Sequence, residues 1–269
     1  MDIKSILLNM KLFLFDMDGT LYLGDQLYPF TIKLLQIIRQ SGGKYLFMTN
    51  NSSKSVSDYI KKLGKLGITA DREDFITSSQ ATAYYLKKHH AGQTLYVCGT
   101  ESLKEELRSE GFTVSEDISK TQCIVMGFDT ELTFQKLHDV SYLLLTQPNL
   151  PYIATNPDLV CPTEFGSVPD CGSVCHMIYN ATGKNPVVIG KPSPLMPLLA
   201  MEKCGTDKEQ TCVVGDRIYT DIKSGINAGI TSILVMSGET DEEILSSSPE
   251  KPHIVLPDAG HILSVLENR

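Results

Sequence analysis

The sequence lacks several patterns that define large classes of proteins. Its apolar runs stop after a few residues, far short of a membrane-spanning helix. It contains no Cys-x-x-Cys, His-x-His, His-Glu-x-x-His or Gly-x-Gly-x-x-Gly pattern. These absences argue against a membrane-spanning protein, a common zinc centre and a dinucleotide-binding oxidoreductase.

Basic residues are in deficit. There are 24 Lys and Arg against 32 Asp and Glu, which gives a formal net charge of −8. This balance argues against a nucleic-acid partner, and it means that an anionic substrate needs a local cation. The N-terminal apolar stretch is interrupted by Asn9 and Lys11 and is followed by no small-residue cleavage site. We therefore expect a cytoplasmic protein that binds neither nucleic acid nor membrane.

Seven cysteines are scattered along the chain, an odd number that suits no disulfide framework. Cys171 and Cys175 are four residues apart and would share one face of a helix, as a zinc-binding pair can. No second pair matches them, so free thiols in a reducing compartment are the simpler interpretation.

Short β-rich apolar runs alternate with helix-like segments through the 269 residues. Strand candidates include LFLF, KYLFMT, TLYVCG, QCIVMG, TCVVGD and TSILVM, and helical patterns lie between most of them. Continuous apolar strands suit sheets that are covered on both faces. The alternation predicts the α/β class, with parallel sheets and crossover helices.

Polar or charged residues follow directly after four of the predicted strands, where ligands bind in open α/β sheets. They supply three carboxylates, a hydroxyl, two amides and an ammonium: Asp16, Asp18, Thr49, Asn50, Asn51, Lys191 and Asp216. We expect these side chains to converge at one edge of the sheet.

This set of side chains suits phosphoryl transfer. Mg²⁺ is usually bound by one or two carboxylates together with phosphate oxygens, and Asp16 and Asp216 could supply two. An Asp can also attack phosphorus as a nucleophile. Asp18, two residues on in an extended backbone, could protonate the leaving oxygen and later activate water. Thr49 and Lys191 could bind the remaining phosphate oxygens.

Each residue also has a simpler interpretation. An isolated Asp-x-Asp pair, such as Asp16 and Asp18, is common in turns and helix caps. Thr49 could cap the following helix, and Lys191 could be an ordinary surface lysine. Asp221, in the segment IYTDIKSG, could simply favour the start of a helix. These interpretations weaken as a set, because the residues fall at strand ends in a consistent order.

Four segments in chain order, DMDGT, MTNNS, GKPSP and GDRIYTDI, resemble the motifs of the haloacid dehalogenase (HAD) superfamily of phosphatases. The resemblance covers nearly the whole chain and implies a Rossmann-like, doubly wound parallel sheet as the core. It also implies Mg²⁺ as the cofactor and a small phosphorylated metabolite as the substrate, hydrolysed through an aspartyl-phosphate.

The same resemblance implies roles for four acids. Asp16 would be the nucleophile and a metal ligand, and Asp18 the general acid/base whose backbone carbonyl also binds the metal. Asp216 would be a further metal ligand. Asp221 would orient Lys191 or a metal-bound water without binding the metal itself.

The resemblance also implies phosphate binding by residues that follow two of the predicted strands. Thr49 would bind the phosphoryl group, with Asn50 and Asn51 beside it in the substrate site. Lys191 would bind the substrate and stabilise the phosphoryl charge next to Asp16.

Motif spacing predicts an inserted domain. The interval between Asp18 and Thr49 is short, whereas more than half of the chain lies between Thr49 and Lys191. We expect an α/β cap at 81–185 between core segments 1–80 and 186–269. This layout resembles the NagD-like, type IIA-capped phosphatases, which include 4-nitrophenyl, phosphoglycolate, sugar- and nucleotide-phosphate phosphatases. Cap-mediated dimers occur among them, which leaves a homodimer open.

The segment Asn156–Ser173 resembles the cap loop that contacts the leaving group in this subfamily. Cys161 falls where some relatives have a substrate-contacting histidine, so their substrate preference does not transfer. Cys161 either packs within the loop or contacts the leaving group. We expect the cap to open and close about crossings near Ala81 and Asn185.

Two other functions suit the same fold. A phosphotransferase or mutase would pass the phosphoryl group from an aspartate to a sugar hydroxyl, but known mutases of the superfamily carry a cap after the first motif. A non-catalytic binding module is typically marked by loss of the nucleophile or a metal ligand. No such loss occurs at Asp16, Asp18, Thr49, Lys191 or Asp216.

Overall fold

A computed structural model describes residues 2–163 and 165–268. The chain forms two compact units. Among the described residues, unit 1 spans 2–49, Tyr59–Ile76 and 191–268, and unit 2 spans Asn50–Asp58 and the described part of Thr77–Gly190.

Strands and helices alternate through most of the chain. The strands in chain order are β1 (Leu12–Phe15), β2 (Tyr22–Leu23), β3 (Gln26–Leu27), β4 (Lys44–Thr49), β5 (Phe75–Thr77), β6 (Thr94–Cys98), β7 (Thr113–Val114), β8 (Cys123–Met126), β9 (Tyr152–Ala154), β10 (Val160–Thr163), β11 (Gly166–Pro169), β12 (Val187–Val188), β13 (Thr211–Gly215), β14 (Thr231–Val235) and β15 (Ile254–Leu256). The α-helices are α1 (Ile3–Asn9), α2 (Thr31–Gln40), α3 (Val56–Lys65), α4 (Ser78–His89), α5 (Glu101–Ser109), α6 (Phe134–Thr146), α7 (Cys171–Thr182), α8 (Leu195–Cys204), α9 (Lys223–Ala228), α10 (Glu242–Ser247) and α11 (Gly260–Glu267).

The sheet of unit 1 reverses its direction of winding at β1. Its strand order is β15-β14-β13-β1-β4-β5, and β1 pairs in parallel with both β13 and β4. The chain moves from β1 outward to β4 on one side and later returns to β13 on the other. Ligand crevices form beyond the carboxyl ends of strands at such a switch point. The residue that follows β1 is Asp16.

Apolar burial explains why β1 occupies the centre of this sheet. All four of its residues are buried, as expected for a strand covered on both faces. Each fully buried Leu or Phe contributes roughly 1.5–3 kcal/mol relative to exposure. Helix α2 turns Leu34, Leu35 and Ile38 towards the interior and its charged residues outwards. The core therefore fixes the strand end that carries the polar residues.

Unit 2 has a parallel sheet of its own, with strand order β12-β9-β8-β6-β7. Helices α6 and α7 pack against it around Tyr96, Met126 and Leu143. Strands β10 and β11 form a separate antiparallel hairpin. The domain predicted at 81–185 lies within the Thr77–Gly190 part of unit 2, and Ala81 lies inside α4. The role of this unit as a cap stays a prediction.

The predicted α/β class with parallel sheets is confirmed. The six strand candidates quoted above correspond to β1, β4, β6, β8, β13 and β14. Sequence patterns missed β5 and β15, which are three residues each. They also missed the antiparallel pairing of β10 and β11 within 156–173, a segment of which position 164 lies outside the described residues.

The structure also bears on the cysteines and on membrane spans. All seven cysteines are free, and Cys171 and Cys175 are buried on α7. Within residues 2–163 and 165–268, no cysteine belongs to a cluster of three or more metal-ligating side chains. No helix in the described part of the chain is both long and apolar enough to cross a membrane.

Candidate active site

Asp16 is fixed by the sheet at its backbone and by an ion pair at its side chain. Its N–H donates to the carbonyl of Val214 at 2.8 Å, which continues the pairing of β1 with β13. Its Oδ1 lies 2.7 Å from Nζ of Lys191. The side chain is partly exposed, so a ligand can reach it.

Lys191 is buried among acceptors. Its Nζ donates to Oδ1 of Asp16 at 2.7 Å, to Oδ1 of Asp221 at 2.5 Å and to the carbonyl of Met48 at 3.2 Å. Burial alone would lower the pKa of Lys191, but the carboxylates of Asp16 and Asp221 raise it above the ordinary value. Lys191 is therefore a cation at neutral pH, and its buried charge is paired.

Asp221 connects Lys191 to the segment after β13. It lies in a π-helical turn, Ile218–Ile222, a local geometry that is frequent at functional sites. Its Oδ2 accepts from the backbone N–H of Arg217 at 3.2 Å. Burial raises the pKa of Asp221 to about 6, while Lys191 acts to lower it. Asp221 thus holds the ammonium from the interior side.

Asp216 follows β13, and only one of its two carboxylate oxygens accepts a hydrogen bond from the described residues. Its Oδ2 accepts from the N–H of Glu239 at 2.7 Å. Its Oδ1 is buried and has no hydrogen-bond partner among the described residues. Burial and, to a smaller extent, the nearby carboxylates of Asp16 and Asp221 together raise the pKa of Asp216 to about 8. An orphaned buried oxygen of this kind requires an explanation.

The carboxylates fit a hard divalent cation. Asp16, Asp216 and Asp221 each offer one oxygen, and these oxygens lie within 4.8 Å of one another. Like charges at this separation disfavour ionisation unless a cation lies between them. Mg²⁺ prefers oxygen ligands of this kind, and the unbonded Oδ1 of Asp216 is an oxygen of the same type. Asp221 is already bonded by Lys191 and Arg217, so Asp16 and Asp216 fit best as ligands.

Asp18 lies at the more exposed part of the site. Gly19 has φ of +82°, a conformation that suits glycine, and its N–H donates to the carbonyl of Tyr22 at 2.7 Å. Nζ of Lys62 lies 3.8 Å from Oδ2 of Asp18 and 4.3 Å from the centroid of the Tyr22 ring. Partial burial raises the pKa of the Asp18 carboxyl, and Lys62 lowers it. A raised pKa suits a group that must hold a proton to donate it.

The three residues predicted after the second strand fall in both units. Thr49 ends β4 in unit 1 and is buried. Asn50 and Asn51 belong to unit 2, where Nδ2 of Asn50 donates to Oδ2 of Asp158 at 3.0 Å. Oδ1 of Asn51 accepts from the N–H of Ser53 at 2.9 Å. These contacts give both amides a structural role, and their substrate-binding role stays a prediction.

Sequence reasoning missed three charged residues of this site. Arg217 directly follows Asp216, and that adjacency was its signal. Glu239 lies in the segment after β14. The strand-end rule, by which polar residues that follow a strand are candidates for the site, would include this segment if it were extended to that strand. Lys62, on α3, gives no local signal. All three lie in unit 1 with the carboxylates.

Comparison with known proteins identifies the family. The model of the haloacid dehalogenase-like hydrolases matches residues 13–113, and a second HAD-like hydrolase model matches residues 188–262. An acid sugar phosphatase of Staphylococcus haemolyticus is 33% identical over 96% of this chain and 97% of its own. The chain belongs to the HAD-like hydrolase family. A 5′-nucleotidase of Bacillus subtilis is 34% identical over 90% of this chain and 93% of its own.

Solved structures of HAD-like hydrolases match along most of the chain. A 4-nitrophenylphosphatase of Thermotoga maritima superposes with a TM-score of 0.92 at 38% identity, covering 96% of this chain and 98% of its own. NagD of Escherichia coli gives a TM-score of 0.84 at 30% identity, covering 93% of this chain and 96% of its own.

One further relative carries a metal. A glycerol phosphate phosphatase of Mycobacterium tuberculosis, solved in complex with magnesium, gives a TM-score of 0.87 at 29% identity, covering 96% of this chain and 77% of its own. The predicted superfamily, its NagD-like branch and the enzyme class, a hydrolase acting on phosphoric monoester bonds, are confirmed by these matches.

Proposed function

We propose that the protein is a Mg²⁺-dependent phosphatase that hydrolyses small phosphomonoesters through an aspartyl-phosphate on Asp16. The proposal rests on one cluster of side chains. In it, Lys191 is bonded to both Asp16 and Asp221, and Asp216 has one buried oxygen without a hydrogen bond among the described residues. Metabolite phosphatases of the same family support the reaction class.

Asp16 is the nucleophile in this proposal. Lys191 holds Oδ1 at 2.7 Å, and we assign the other oxygen to attack phosphorus. A bond forms between this oxygen and phosphorus as the bond from phosphorus to the leaving oxygen breaks. Water then attacks phosphorus, the bond to Asp16 breaks, and inorganic phosphate is released.

Asp18 moves the proton in both steps. We assign Asp18 the protonated form at the start, towards which the upward shift of its pKa acts, and it gives its proton to the leaving oxygen in the first step. The resulting carboxylate takes a proton from the attacking water in the second step. Lys62, 3.8 Å away, offsets the charge that Asp18 carries between the two steps.

Three groups would hold the metal: the carboxylates of Asp16 and Asp216 and the backbone carbonyl of Asp18. When bound there, Mg²⁺ neutralises the carboxylates and the negative charge of the transferring phosphoryl group. The unpartnered Oδ1 of Asp216 supports this assignment. The magnesium complex of the glycerol phosphate phosphatase supports the choice of ion.

The remaining phosphoryl contacts come from Lys191 and Thr49. Lys191 acts as a compact positive charge, held from behind by Asp221. It is also the local cation that an anionic substrate requires in a chain of net charge −8. Thr49 donates from its hydroxyl at the end of β4, and we retain Asn50 and Asn51 as predicted neighbours.

Sugar phosphates and nucleoside monophosphates are the substrate classes that we propose first. The relatives are named acid sugar phosphatase and 5′-nucleotidase, which supports small hydroxyl-rich leaving groups. We propose that unit 2 is the cap that selects among them through the hairpin of β10 and β11. Cys161 lies on that hairpin, so Cys161→His should change the ranking of substrates rather than the rate with all of them.

A purified-enzyme assay tests the proposal. Release of 4-nitrophenol from 4-nitrophenyl phosphate should require Mg²⁺, stop with EDTA and be lost in Asp16→Asn. A panel of sugar phosphates, nucleotides, glycerol phosphate, phosphoglycolate and pyridoxal phosphate then ranks kcat/KM. Inactivity of the wild-type enzyme on the whole panel with Mg²⁺ would sink the proposal. If an added alcohol accepts the phosphoryl group faster than water, the enzyme is a phosphotransferase instead.

A further inference from the structure

The segment after β14 wraps around Asp216. The N–H of Glu239 donates to Oδ2 of Asp216 at 2.7 Å, and the N–H of Thr240 donates to the backbone carbonyl of Asp216 at 3.2 Å. Gly19 and Gly238 pack against the same oxygen so closely that a Cβ on either would overlap it. Asp216 therefore has little freedom to rotate.

The side chain of Glu239 connects the segment after β14 to the residues that follow Asp216 in the sequence. Its Oε1 accepts a hydrogen bond from the hydroxyl of Tyr219 at 2.9 Å, and its Oε2 forms an ion pair with Nε of Arg217 at 2.8 Å. Arg217 immediately precedes the π-helical turn and Tyr219 lies within it. The backbone of Glu239 thus contacts Asp216, and its side chain contacts the start of the π-helical turn.

This arrangement decides which oxygen of Asp216 is left without a hydrogen bond in the described part of the chain. Since the N–H of Glu239 occupies Oδ2, Oδ1 is the oxygen without a hydrogen-bond partner among the described residues. If the loop withdrew, Asp216 could rotate and Oδ1 would lose its fixed direction. Groups that hold a metal-binding carboxylate in place commonly change metal affinity about 10–100-fold when removed.

We propose that Glu239 is a positioning residue for the divalent cation: it fixes the loop that presents Oδ1 of Asp216 to the metal. The inference rests on the proposed Mg²⁺ site at Asp16 and Asp216, and it adds a residue outside the motifs from which that site was predicted. Its function depends on the two contacts made by its carboxylate, from Tyr219 and Arg217.

Isothermal titration of metal-free protein with Mg²⁺ measures the effect without substrate. In Glu239→Ala we expect the Mg²⁺ dissociation constant to rise about 10-fold, the lower end of the range for groups behind a ligand. Glu239→Gln and Tyr219→Phe, which preserve the shape of the loop, should give smaller rises in the same direction. Glu242→Ala, an exposed acid three positions further on, is the matched control and should bind Mg²⁺ like the wild type.

Kinetics provide the second readout. Because saturating Mg²⁺ refills a weakened site, kcat of Glu239→Ala should return towards the wild-type value at high Mg²⁺, with the KM for 4-nitrophenyl phosphate unchanged. The melting temperature of the metal-free variants reports whether they fold, and Glu239→Gln is the conservative test if Glu239→Ala does not.

The outcomes separate this inference from the proposal on which it rests. Wild-type affinity for Mg²⁺ in folded Glu239→Ala or Glu239→Gln overturns the positioning role and leaves the Mg²⁺ site standing. An equal loss of affinity in Glu242→Ala also overturns it, because the effect would then be one of general surface charge. Absence of Mg²⁺ binding in the wild type overturns the metal site and the positioning role together.

Discussion

Nζ of Lys191 lies 2.7 Å from Oδ1 of Asp16, although 175 positions separate the two residues in the chain. The same ammonium lies 2.5 Å from Oδ1 of Asp221, so one buried cation joins the end of β1 to the turn after β13. This contact is both structural and functional. It holds the partly exposed Asp16 and the buried Asp221 together, and it fixes the carboxylate to which we assign the attack on phosphorus.

Replacing this cation should cost both stability and activity. In Lys191→Met two carboxylates are left facing each other, and breaking a buried ion pair in this way costs about 3–5 kcal/mol. Urea unfolding should show a loss of that order, and kcat for 4-nitrophenyl phosphate should fall at least ~100-fold. The control is Lys33→Met, whose partner Glu267 is on the surface. It should change stability by no more than about 1 kcal/mol. A stable, active Lys191→Met enzyme would contradict the assignment.

Lys62 should set the pH dependence of proton transfer by Asp18. Partial burial raises the pKa of Asp18 and Lys62 lowers it, so Lys62→Met should raise that pKa further. The alkaline limb of the kcat/KM profile, where Asp18 loses its proton, should therefore move to higher pH. Glycerol phosphate is the substrate of choice, because its poor leaving group needs the proton. Lys61 is the exposed neighbour of Lys62 on α3, so Lys61→Met is the control and should leave the pH profile unchanged. If the alkaline limb of Lys62→Met stays in place or moves to lower pH, Lys62 does not set the pKa of Asp18.

Binding of Mg²⁺ should release a proton. The pKa of Asp216 is raised to about 8 in the metal-free protein, so at pH 7 much of the carboxyl is protonated and must ionise to bind the metal. Affinity should therefore increase from pH 6 to pH 8. Titration calorimetry in buffers of different ionisation enthalpy counts the released protons. A pH-independent affinity with no proton release would show that Asp216 is already ionised.

The same pKa predicts how metal-free stability depends on pH. The folded pKa of Asp216 lies above its unfolded value of about 3.9, so this group's contribution is fully present below about pH 4 and is lost as pH rises towards 8. The melting temperature in EDTA should fall over that window. Asp216→Asn cannot ionise and should show a flatter profile. If both profiles have the same slope, another group is responsible.

Substitution by alanine should have opposite effects at Gly238 and at Gly64, lowering activity at the first and raising stability at the second. In Gly238→Ala the new Cβ would overlap Oδ2 of Asp216, so Mg²⁺ affinity and kcat should both fall. In Gly64→Ala no atom lies within 4 Å of the added Cβ, and the site is inside α3. Alanine is preferred to glycine there by about 0.5–1 kcal/mol, so stability should rise with activity unchanged. Thermal unfolding and the 4-nitrophenyl phosphate assay distinguish the two.

The strand-end rule predicted most of the cluster in unit 1. It works for Asp16 and Asp216 because β1 and β13 are adjacent parallel strands, whose carboxyl ends lie at the same edge of one sheet. Lys191 follows β12, a strand of the sheet of unit 2, so the expectation that it shares that edge was wrong, although its side chain does contact Asp16. The rule does not predict the contacts that hold these residues. The hydrogen bond from Tyr219 to Glu239 and the ion pair between Arg217 and Glu239 depend on how two loops pack, which no local pattern encodes.

Sequence patterns were least informative where local composition and packing conflict. The segment 156–173 is rich in Pro and Gly, a composition that predicts a loop, yet it contains the paired strands β10 and β11. Asn50 directly follows Thr49 and was grouped with it, but its amide donates to Asp158 within unit 2. Adjacency in sequence therefore predicted the position of Asn50 but not its partner.

Direct detection of the phosphorylated residue tests whether Asp16 is the nucleophile. Enzyme quenched in acid during a single turnover with Mg²⁺ and reduced with borohydride converts an aspartyl-phosphate to homoserine, which peptide mass spectrometry locates. We expect homoserine at Asp16, and only when substrate and Mg²⁺ are both present. Phosphoryl transfer to another residue, or full turnover by an Asp16→Asn enzyme, would contradict it.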